Sequence, residues 1–308
     1  MSAKTKCDSV LMVGFGGPTR ADEVRPFLDN VLRGRPVPRE RYEAVVHHYE
    51  MLGGASPYNE LTMRQADALR VELGKKNIDA PVAVGMRNWA PYVADSFRSL
   101  AERGARRVLC FILAPHRSEA SFERYQQTVR DAQNSLGGST VEVVYPEPWH
   151  DHPLFIKAVA SRTREALDRL DANARSDARL IFTAHSIPVA MAEASQYVEQ
   201  LTESARMVAS ELGVGAWQFA YQSRSGSPRD NWLEPDINET LRNLTSKVAV
   251  VVPIGFLCDH VEILYDLDIE AARVAREMGI RMKRAPTVGD RPLFIEMMAS
   301  IIAAHVRG

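Results

Sequence analysis

Short runs of apolar, often β-branched residues alternate along the chain with longer segments in which apolar residues recur at helical spacing. Most of the short runs are apolar at every position, which is typical of strands covered by helices on both faces of a sheet. The pattern predicts strands in SVLMVGF (9–15), VAVGM (82–86), RVLCFILAP (107–115), VEVVYP (141–146), RLIFTAHS (179–186), WQFAYQS (217–223) and VAVVVPIGF (248–256). It predicts helices between them, for example in ELTMRQADALRVELGKK (60–76), PYVADSFRSLAERG (91–104) and PLFIKAVASRTREALDRL (153–170). This alternation indicates βαβ units, parallel sheets and an α/β fold.

The strand–helix pattern runs twice, once before and once after the Pro- and His-rich stretch YPEPWHDHP (145–153). We therefore predict two Rossmann-like lobes that share a cleft, residues 1–147 and residues 148–308, with the last helix packing back. Ligands of such folds bind beyond the carboxyl ends of the strands. That rule selects five candidate site segments: 14–18, 115–121, 184–188, 222–226 and 255–262.

Composition narrows the classes of function. The formal net charge of −1 argues against nucleic acid as a partner. No stretch approaches the roughly 18 apolar residues of a membrane span, and the polar start MSAKTKCDSV lacks the apolar region of a secretory signal. The three cysteines, Cys7, Cys110 and Cys258, are too far apart for a CxxC-type framework. We expect a cytoplasmic protein.

The segment CDHVEILYDLDIEAARVARE places Glu262, Asp266 and Glu270 four residues apart, one helical turn each. Like charges at this spacing repel and destabilise a helix, so the presence of this file of carboxylates has to be explained. One interpretation is the solvated face of an ordinary amphipathic helix, and spacing alone favours it. The other is a path for a cation, and a local π-helical widening would straighten the file. The apolar stripe from Ile263 to Met278 should face the core.

Other stretches permit two interpretations each. GFGGPT (14–19) is either a tight turn or a close backbone approach to a flat ligand, since it matches no nucleotide-binding motif. His185 in TAHSIP ends a predicted strand, where a histidine is either structural or placed for proton transfer or metal contact. Asp259 is expected to cap the following helix, with His260 behind the site. The remaining histidines lack the spacing of a zinc helix.

Taken together, these blocks resemble the ferrochelatase family, whose members insert ferrous iron into a porphyrin. The resemblance is carried by GFGGPTRADEVRPFLDNVLRGR, HHYEMLGGASPYNELTMRQADAL, LAPHRSEASFERY, TAHSIP, FAYQSRSG, NWLEPDI and PIGFLCDHVEILYDLDIEA. It implies the class II chelatase fold, with two parallel four-stranded sheets flanked by helices and a porphyrin cleft between the lobes. It also implies that His185 and Glu262 are catalytic and face each other across that cleft. The implied metal contacts are His185, Glu262, Asp266 and Glu270.

The chemistry of this family suits those residue types. A porphyrin must lose two weakly acidic pyrrole protons while it takes up a divalent cation. A neutral imidazole at His185 can accept protons or contact iron, and the Glu262 carboxylate can hold or relay the ion. Which of the two delivers metal and which removes protons stays open, with His185 favoured as proton acceptor and iron contact.

The resemblance also implies which residues bind the porphyrin ring and its propionates: Phe15, Arg33, Ser56, Ser118, Ser121, Tyr125 and Trp232. Two departures matter. Phe15 stands where some members have a tyrosine that ligates iron, and His48 stands where others have an arginine. Three dispersed cysteines cannot supply the four thiolates of an iron–sulfur cluster, so we expect no tightly bound cofactor, with Fe(II) as substrate.

The substrate is predicted from the same blocks. VRPFLDNVLRGR, QSRSG and WLEPDI resemble the branch that acts on coproporphyrin III, and GGASPYNELTMRQADAL also resembles the protoporphyrin IX branch. Coproporphyrin III is favoured, protoporphyrin IX is the alternative, and a sirohydrochlorin chelatase or a non-catalytic porphyrin carrier is less favoured. The expected partners are porphyrin and ferrous iron, with transient contact to neighbouring haem-pathway enzymes. We expect a monomer.

Overall fold

The computed structural model describes residues 6–137, 141–225 and 230–306. The chain divides into two compact units. The first comprises Met1–Ala114, Ala120–Pro148 and Asp290–Gly308, and the second comprises Pro115–Glu119 and Trp149–Gly289.

The first unit is built on a four-stranded parallel sheet of order β2-β1-β3-β4. The central strand β1 is buried along its whole length, because helices cover both of its faces. Up to residue 148 the elements are β1 (Ser9–Gly14), a 3₁₀ turn (Ala21–Glu23), α1 (Val24–Leu32), α2 (Arg39–Met51), α3 (Tyr58–Lys75), β2 (Val82–Met86), α4 (Val93–Glu102), β3 (Arg107–Ile112), a π-helical turn (Glu119–Glu123), α5 (Arg124–Asn134) and β4 (Glu142–Val144).

The second unit repeats this plan with a parallel sheet of order β6-β5-β7-β8. Its elements are α6 (Pro153–Leu167), α7 (Ala172–Asp177), β5 (Arg179–His185), α8 (Val189–Glu193), α9 (Tyr197–Leu212), β6 (Trp217–Gln222), α10 (Ile237–Arg242), β7 (Val248–Val252), α11 (Val261–Tyr265), a π-helix (Asp266–Ala271), α12 (Ala272–Glu277) and β8 (Arg281–Arg284). In each unit the first strand lies between the second and the third. The predicted pair of parallel four-stranded sheets is therefore confirmed.

Apart from β2, which matches its predicted run, the predicted strands end earlier than the apolar runs that predicted them. Phe15, Ser186 and the stretch after Val252 lie beyond strand ends, in the loops where ligands of this fold bind. The eighth strand, Arg281–Arg284, was not predicted. Its sequence RMKR carries almost no apolar signal, because it is an edge strand with partly exposed side chains.

The final helix, α13 (Pro292–His305), belongs to the first unit, whereas the predicted boundaries placed it in the lobe 148–308. Phe294, Met298 and Ile302 are fully buried there. The backbone N–H of Cys7 donates to the carbonyl of His305 at 2.8 Å, which ties the chain end to the start of β1. The predicted boundary was wrong because a helix this apolar must pack into a core, and the core that buries it belongs to the first unit although the helix comes last in the sequence.

No helix in the described part of the chain combines the length and the apolar character needed to cross a bilayer.

Candidate active site

His185 is the last residue of β5, and two hydrogen bonds hold it. Its Nδ1 lies against the carbonyl oxygen of Ser186, and its own carbonyl accepts a hydrogen bond from the hydroxyl of buried Tyr197 at 3.0 Å. Because a carbonyl can only accept, Nδ1 is the protonated ring nitrogen. The neutral imidazole therefore presents an unprotonated Nε2 as its acceptor.

Glu262 faces that nitrogen from the first turn of α11. Its Oε2 lies 3.8 Å from Nε2 of His185. The structure thus brings together, within the second unit, the two residues that the resemblance made the catalytic pair. An imidazole acceptor and a carboxylate at this distance can share a proton or contact one cation.

His260 caps the helix that carries Glu262. Its Nδ1 accepts a hydrogen bond from the Glu262 backbone N–H at 3.2 Å, and its ring packs edge-on against Phe256 with centroids 5.0 Å apart. Burial lowers the pKa of His260, so the ring is held neutral and keeps its acceptor. The prediction that Asp259 is the cap was wrong, because the extended backbone of a cap residue occurs one residue later, at His260. Asp259 forms an ion pair with Arg284 instead.

The acidic file runs through a π-helix. Residues Asp266–Ala271 are π-helical between the two α-helical segments. A π-helical turn takes up more residues than an α-helical one, so Asp266 and Glu270, which are four residues apart within it, rotate less past one another than in an α-helix. Glu262 precedes the π-helix and lies in α11. Asp266 accepts a short hydrogen bond from the hydroxyl of Ser223. Asp266 and Glu270 are both partly exposed, while the neighbouring apolar stripe is buried.

Arg284 neutralises the other acidic side chains nearby. It donates to Asp268 at 2.7 and 2.8 Å and to Asp259 at 3.3 Å. Burial alone would lower the pKa of Arg284, but the hydrogen bonds to these two carboxylates raise it above its ordinary value. Arg284 was not predicted, since it comes from an unrecognised strand. Ser223 lies in the candidate segment 222–226, but its contact with Asp266 was not predicted.

The described residues show no closed metal cage. Nowhere in residues 6–137, 141–225 and 230–306 do three His, Cys, Asp or Glu side chains come together in a way that could hold a metal ion. The three cysteines are buried, free thiols.

The glycine-rich segment of the first unit is a tight turn packed against protein. Gly16 has φ +89°, and a Cβ there would lie 3.0 Å from the backbone nitrogen of Trp89. The N–H of Gly17 donates to Asn59 Oδ1 at 2.9 Å, and that of Phe15 to the hydroxyl of Tyr58 at 3.0 Å. These contacts support the first of the two interpretations of GFGGPT and fix the backbone beside the Phe15 ring.

Arg33 ends α1 with a left-handed backbone, φ +49°. Its Nη2 donates to the carbonyl of Arg87 at 3.0 Å and to Asn88 Oδ1 at 3.3 Å, which leaves most of the side chain exposed. The sequence did not single out Arg87, whose pKa is lowered by burial and by the charges of Arg33 and Arg124. The first unit therefore gathers positive charge near Arg33.

The other predicted porphyrin contacts differ in accessibility. Ser118 is 1% exposed and belongs to the second unit, whereas Ser121 is half-buried in the π-helical turn of the first unit. Ser56, Tyr125 and Trp232 are all buried. Gly226, in one of the candidate segments, lies outside the described residues.

Comparison with known proteins identifies the family. The ferrochelatase family model matches residues 7–306. The chain is 40% identical over 307 residues to the ferrochelatase of Rhodopirellula baltica, covering 98% of this chain and 87% of that protein. It is 37% identical over 307 residues to the coproporphyrin III ferrochelatase of Mycolicibacterium smegmatis, covering 98% of this chain and 90% of that protein.

A solved structure shows the same fold. The sirohydrochlorin chelatase SirB of Bacillus subtilis subspecies spizizenii, in complex with cobalt, matches with a TM-score of 0.57 at 13% identity, over 97% of this chain and 94% of that one. At that identity the likeness concerns the fold alone, and it agrees with the predicted class II chelatase architecture. By its sequence and its fold, this chain belongs to the ferrochelatase family.

Proposed function

We propose that this protein inserts ferrous iron into coproporphyrin III in haem synthesis, releasing two protons per metal ion. The observation that carries the proposal is the opposition of His185 Nε2 and Glu262 Oε2 at 3.8 Å in a chain of this family. Neither residue is committed to a structural ion pair with another group of opposite charge among those described, so both are suited to a transient partner.

His185 is assigned the role of proton acceptor. Its Nδ1–H is directed at the Ser186 carbonyl, which sets the tautomer and favours the imidazolium that forms when Nε2 takes a pyrrole proton. The Glu262 carboxylate opposite stabilises that positive charge. The same carboxylate can contact the incoming cation, so proton removal and metal arrival are coupled at one place.

Weak ligation is an advantage for this reaction. A structural site of four protein ligands retains its metal, whereas insertion requires that the protein release iron to the four ring nitrogens. His185 and Glu262 offer two ligands of moderate strength. Asp266 and Glu270 extend the oxygen ligands along the helix, and we assign them to a route by which hydrated iron reaches Glu262.

The choice of coproporphyrin III rests on the relatives and on the sequence blocks. The Mycolicibacterium smegmatis protein, aligned over nearly the whole chain, is a coproporphyrin III ferrochelatase. We propose that the predicted contacts, Phe15, Arg33, Ser56, Ser118, Ser121, Tyr125 and Trp232, bind the ring and its propionates. The positive charge near Arg33 supports a substrate that carries four carboxylates.

The test is a comparison of initial rates. Anaerobic assays with Fe(II) and coproporphyrin III, protoporphyrin IX or sirohydrochlorin measure kcat/KM for each ring. We expect coproporphyrin III to be preferred over protoporphyrin IX by about tenfold or more, the effect of losing one or two charge-assisted hydrogen bonds. A preference for protoporphyrin IX or sirohydrochlorin would overturn the choice of substrate, and no insertion with any ring would overturn the activity.

We propose a cytoplasmic monomer without a resident cofactor or iron–sulfur cluster, in transient contact with neighbouring haem-pathway enzymes.

A further inference from the structure

Gln222 connects the two halves of the candidate site. It is the last residue of β6, 1% exposed, and in the register of the sheet it pairs with His185. Its carbonyl accepts a hydrogen bond from the backbone N–H of Ser186 at 2.8 Å. Its side-chain Nε2 donates to the carbonyl of Glu262 at 2.9 Å. One residue therefore contacts both the end of the strand that carries His185 and the start of the helix that carries Glu262.

The helix geometry gives the bond to Glu262 a specific task. In a regular α-helix the N–H of residue 266 donates to the carbonyl of residue 262. Here the N–H of Asp266 donates to Ile263 instead, as the chain passes into the π-helix. Gln222 supplies a donor to the Glu262 carbonyl, and His260 supplies an acceptor to the Glu262 N–H. Both peptide groups that flank the Glu262 side chain are thus held by side chains.

The other end of the Gln222 carboxamide points to a role beyond stability. Among the described residues, its buried Oε1 has no hydrogen-bond partner. A buried acceptor without a partner destabilises the folded state, and an apolar side chain of the same size would avoid that cost. Groups of this kind concentrate at functional sites, where geometry matters more than stability.

We propose that Gln222 is a positioning residue that sets the distance and orientation of Glu262 relative to His185. The inference rests on the proposed function of that pair. Reacting groups must be held within a fraction of an ångström of their productive arrangement, and a misplacement of about 1 Å can reduce the rate about 100-fold. Release of the Glu262 carbonyl should therefore reduce turnover without weakening the binding of the porphyrin.

The first test replaces Gln222 with leucine, which removes the donor and keeps the volume. For Gln222→Leu we expect kcat for iron insertion to fall about tenfold or more, KM for porphyrin to stay within about twofold, and Tm to be unchanged or higher. Gln218→Leu, on the same strand, is the control and should keep wild-type kcat. A wild-type kcat in Gln222→Leu, or a loss of kcat accompanied by a matching fall in Tm, would overturn the proposal.

A second variant distinguishes hydrogen bonding from packing. In Gln222→Glu only the protonated carboxyl can donate to the Glu262 carbonyl, and burial raises the pKa of such a carboxyl above its ordinary value of about 4.3. Its kcat relative to wild type should therefore recover as the pH is lowered, whereas that of Gln222→Leu should not. If the ratio of the Gln222→Glu kcat to the wild-type kcat does not change with pH, Gln222 does not act as a donor. This test does not depend on whether Gln222→Leu folds.

The positioning role of Gln222 can also be tested without an activity assay. If the wild type inserts no iron, the proposed function falls, and a crystal structure of Gln222→Leu still tests the positioning. There we expect the Nε2–Oε2 separation to depart from 3.8 Å, with a displaced Glu262 carbonyl. An unchanged separation would refute the role of Gln222, whatever the activity.

Discussion

His185 Nε2 and Glu262 Oε2 lie 3.8 Å apart, with side chains that are 28% and 35% exposed. The first residue ends a strand and the second begins a helix of the same unit. Regular elements thus hold the backbone of both, while the two side chains stay partly accessible. This combination of fixed backbone and open side chain is what a site needs when its two substrates, a ring and an ion, must both reach it.

Removal of the imidazole should stop catalysis and leave binding intact. For His185→Ala we expect kcat for iron insertion to fall by about 100- to 10,000-fold, the range of general base catalysis, because the proposed proton acceptor is lost. Porphyrin affinity, measured by fluorescence quenching, should change less than about threefold. The exposed His47 provides the control His47→Ala, and wild-type turnover in His185→Ala would contradict the catalytic assignment.

The acidic file should act on iron and not on porphyrin. In the double variant Asp266→Ala, Glu270→Ala we expect KM for iron to rise about tenfold or more, while KM for porphyrin stays within about twofold, since two oxygen ligands of the cation are lost. A matched control removes two exposed carboxylates of the same unit, Glu239→Ala with Glu277→Ala. An unaltered dependence of the rate on iron would argue that the file is only a solvated helix face.

Two arginines of β8 allow the contribution of a buried ion pair to stability to be compared with that of an exposed one. The side chain of Arg284 is 12% exposed and holds Asp259 and Asp268. Arg284→Met should lower the free energy of unfolding by about 2 kcal/mol, because the partly buried Asp259 and the more exposed Asp268 lose their counter-charge.

Arg281 provides the comparison on the same strand. Its pair with Asp171 joins side chains that are 47% and 61% exposed. Arg281→Met should therefore lower the free energy of unfolding much less than Arg284→Met does, because solvent screens the exposed pair. Urea denaturation measures both values, and equal losses would show that burial does not decide the strength of these pairs.

Acid should destabilise the protein through His116. Burial lowers the pKa of His116 to about 3, and the nearby charge of His150 adds to the effect. The unfolded chain binds a proton near pH 6.5 and the folded one does not. Stability is therefore highest above about pH 6.5 and declines as the pH falls toward 3, by at most about 1.4 kcal/mol per pH unit for this residue.

His116→Gln isolates that effect. The glutamine amide can still donate to the Ser204 hydroxyl, which accepts from His116 Nε2 at 3.0 Å and itself donates to the His150 carbonyl. Denaturation curves between pH 7 and 4.5 should show a smaller loss of stability for His116→Gln than for wild type. His47→Gln, at an exposed position, should follow the wild-type curve, and identical slopes for all three proteins would refute the assignment.

Local pattern was sufficient for a large part of the fold. Of the eight strands in the described residues, seven coincide with predicted apolar runs. Strands such as β1 and β7 were found because a strand buried on both faces is apolar at successive positions, and the partly exposed β4 because its run VEVV is still mostly apolar. The edge strand Arg281–Arg284 could not be found in this way, since half-exposed side chains leave no such run. His185 was found because it directly follows a buried strand, and the acidic file because its spacing matches the helical repeat.

What the sequence by itself determined were periodicities: which segments form the buried strands, which helix face is apolar, and that three carboxylates follow one line. The opposition of Glu262 and His185 was expected from the family resemblance alone, and the structure gives its distance. Only the tertiary structure decided that His260 and not Asp259 caps the helix of Glu262, and that Gln222 bonds to the Glu262 carbonyl. The contacts of Glu262 with His185 and Gln222 join residues far apart in the chain, and the packing of strands and helices sets them. The cap at His260 is local, but it depends on the extended backbone that the fold imposes there. A repeat of two or of four residues carries no information about either.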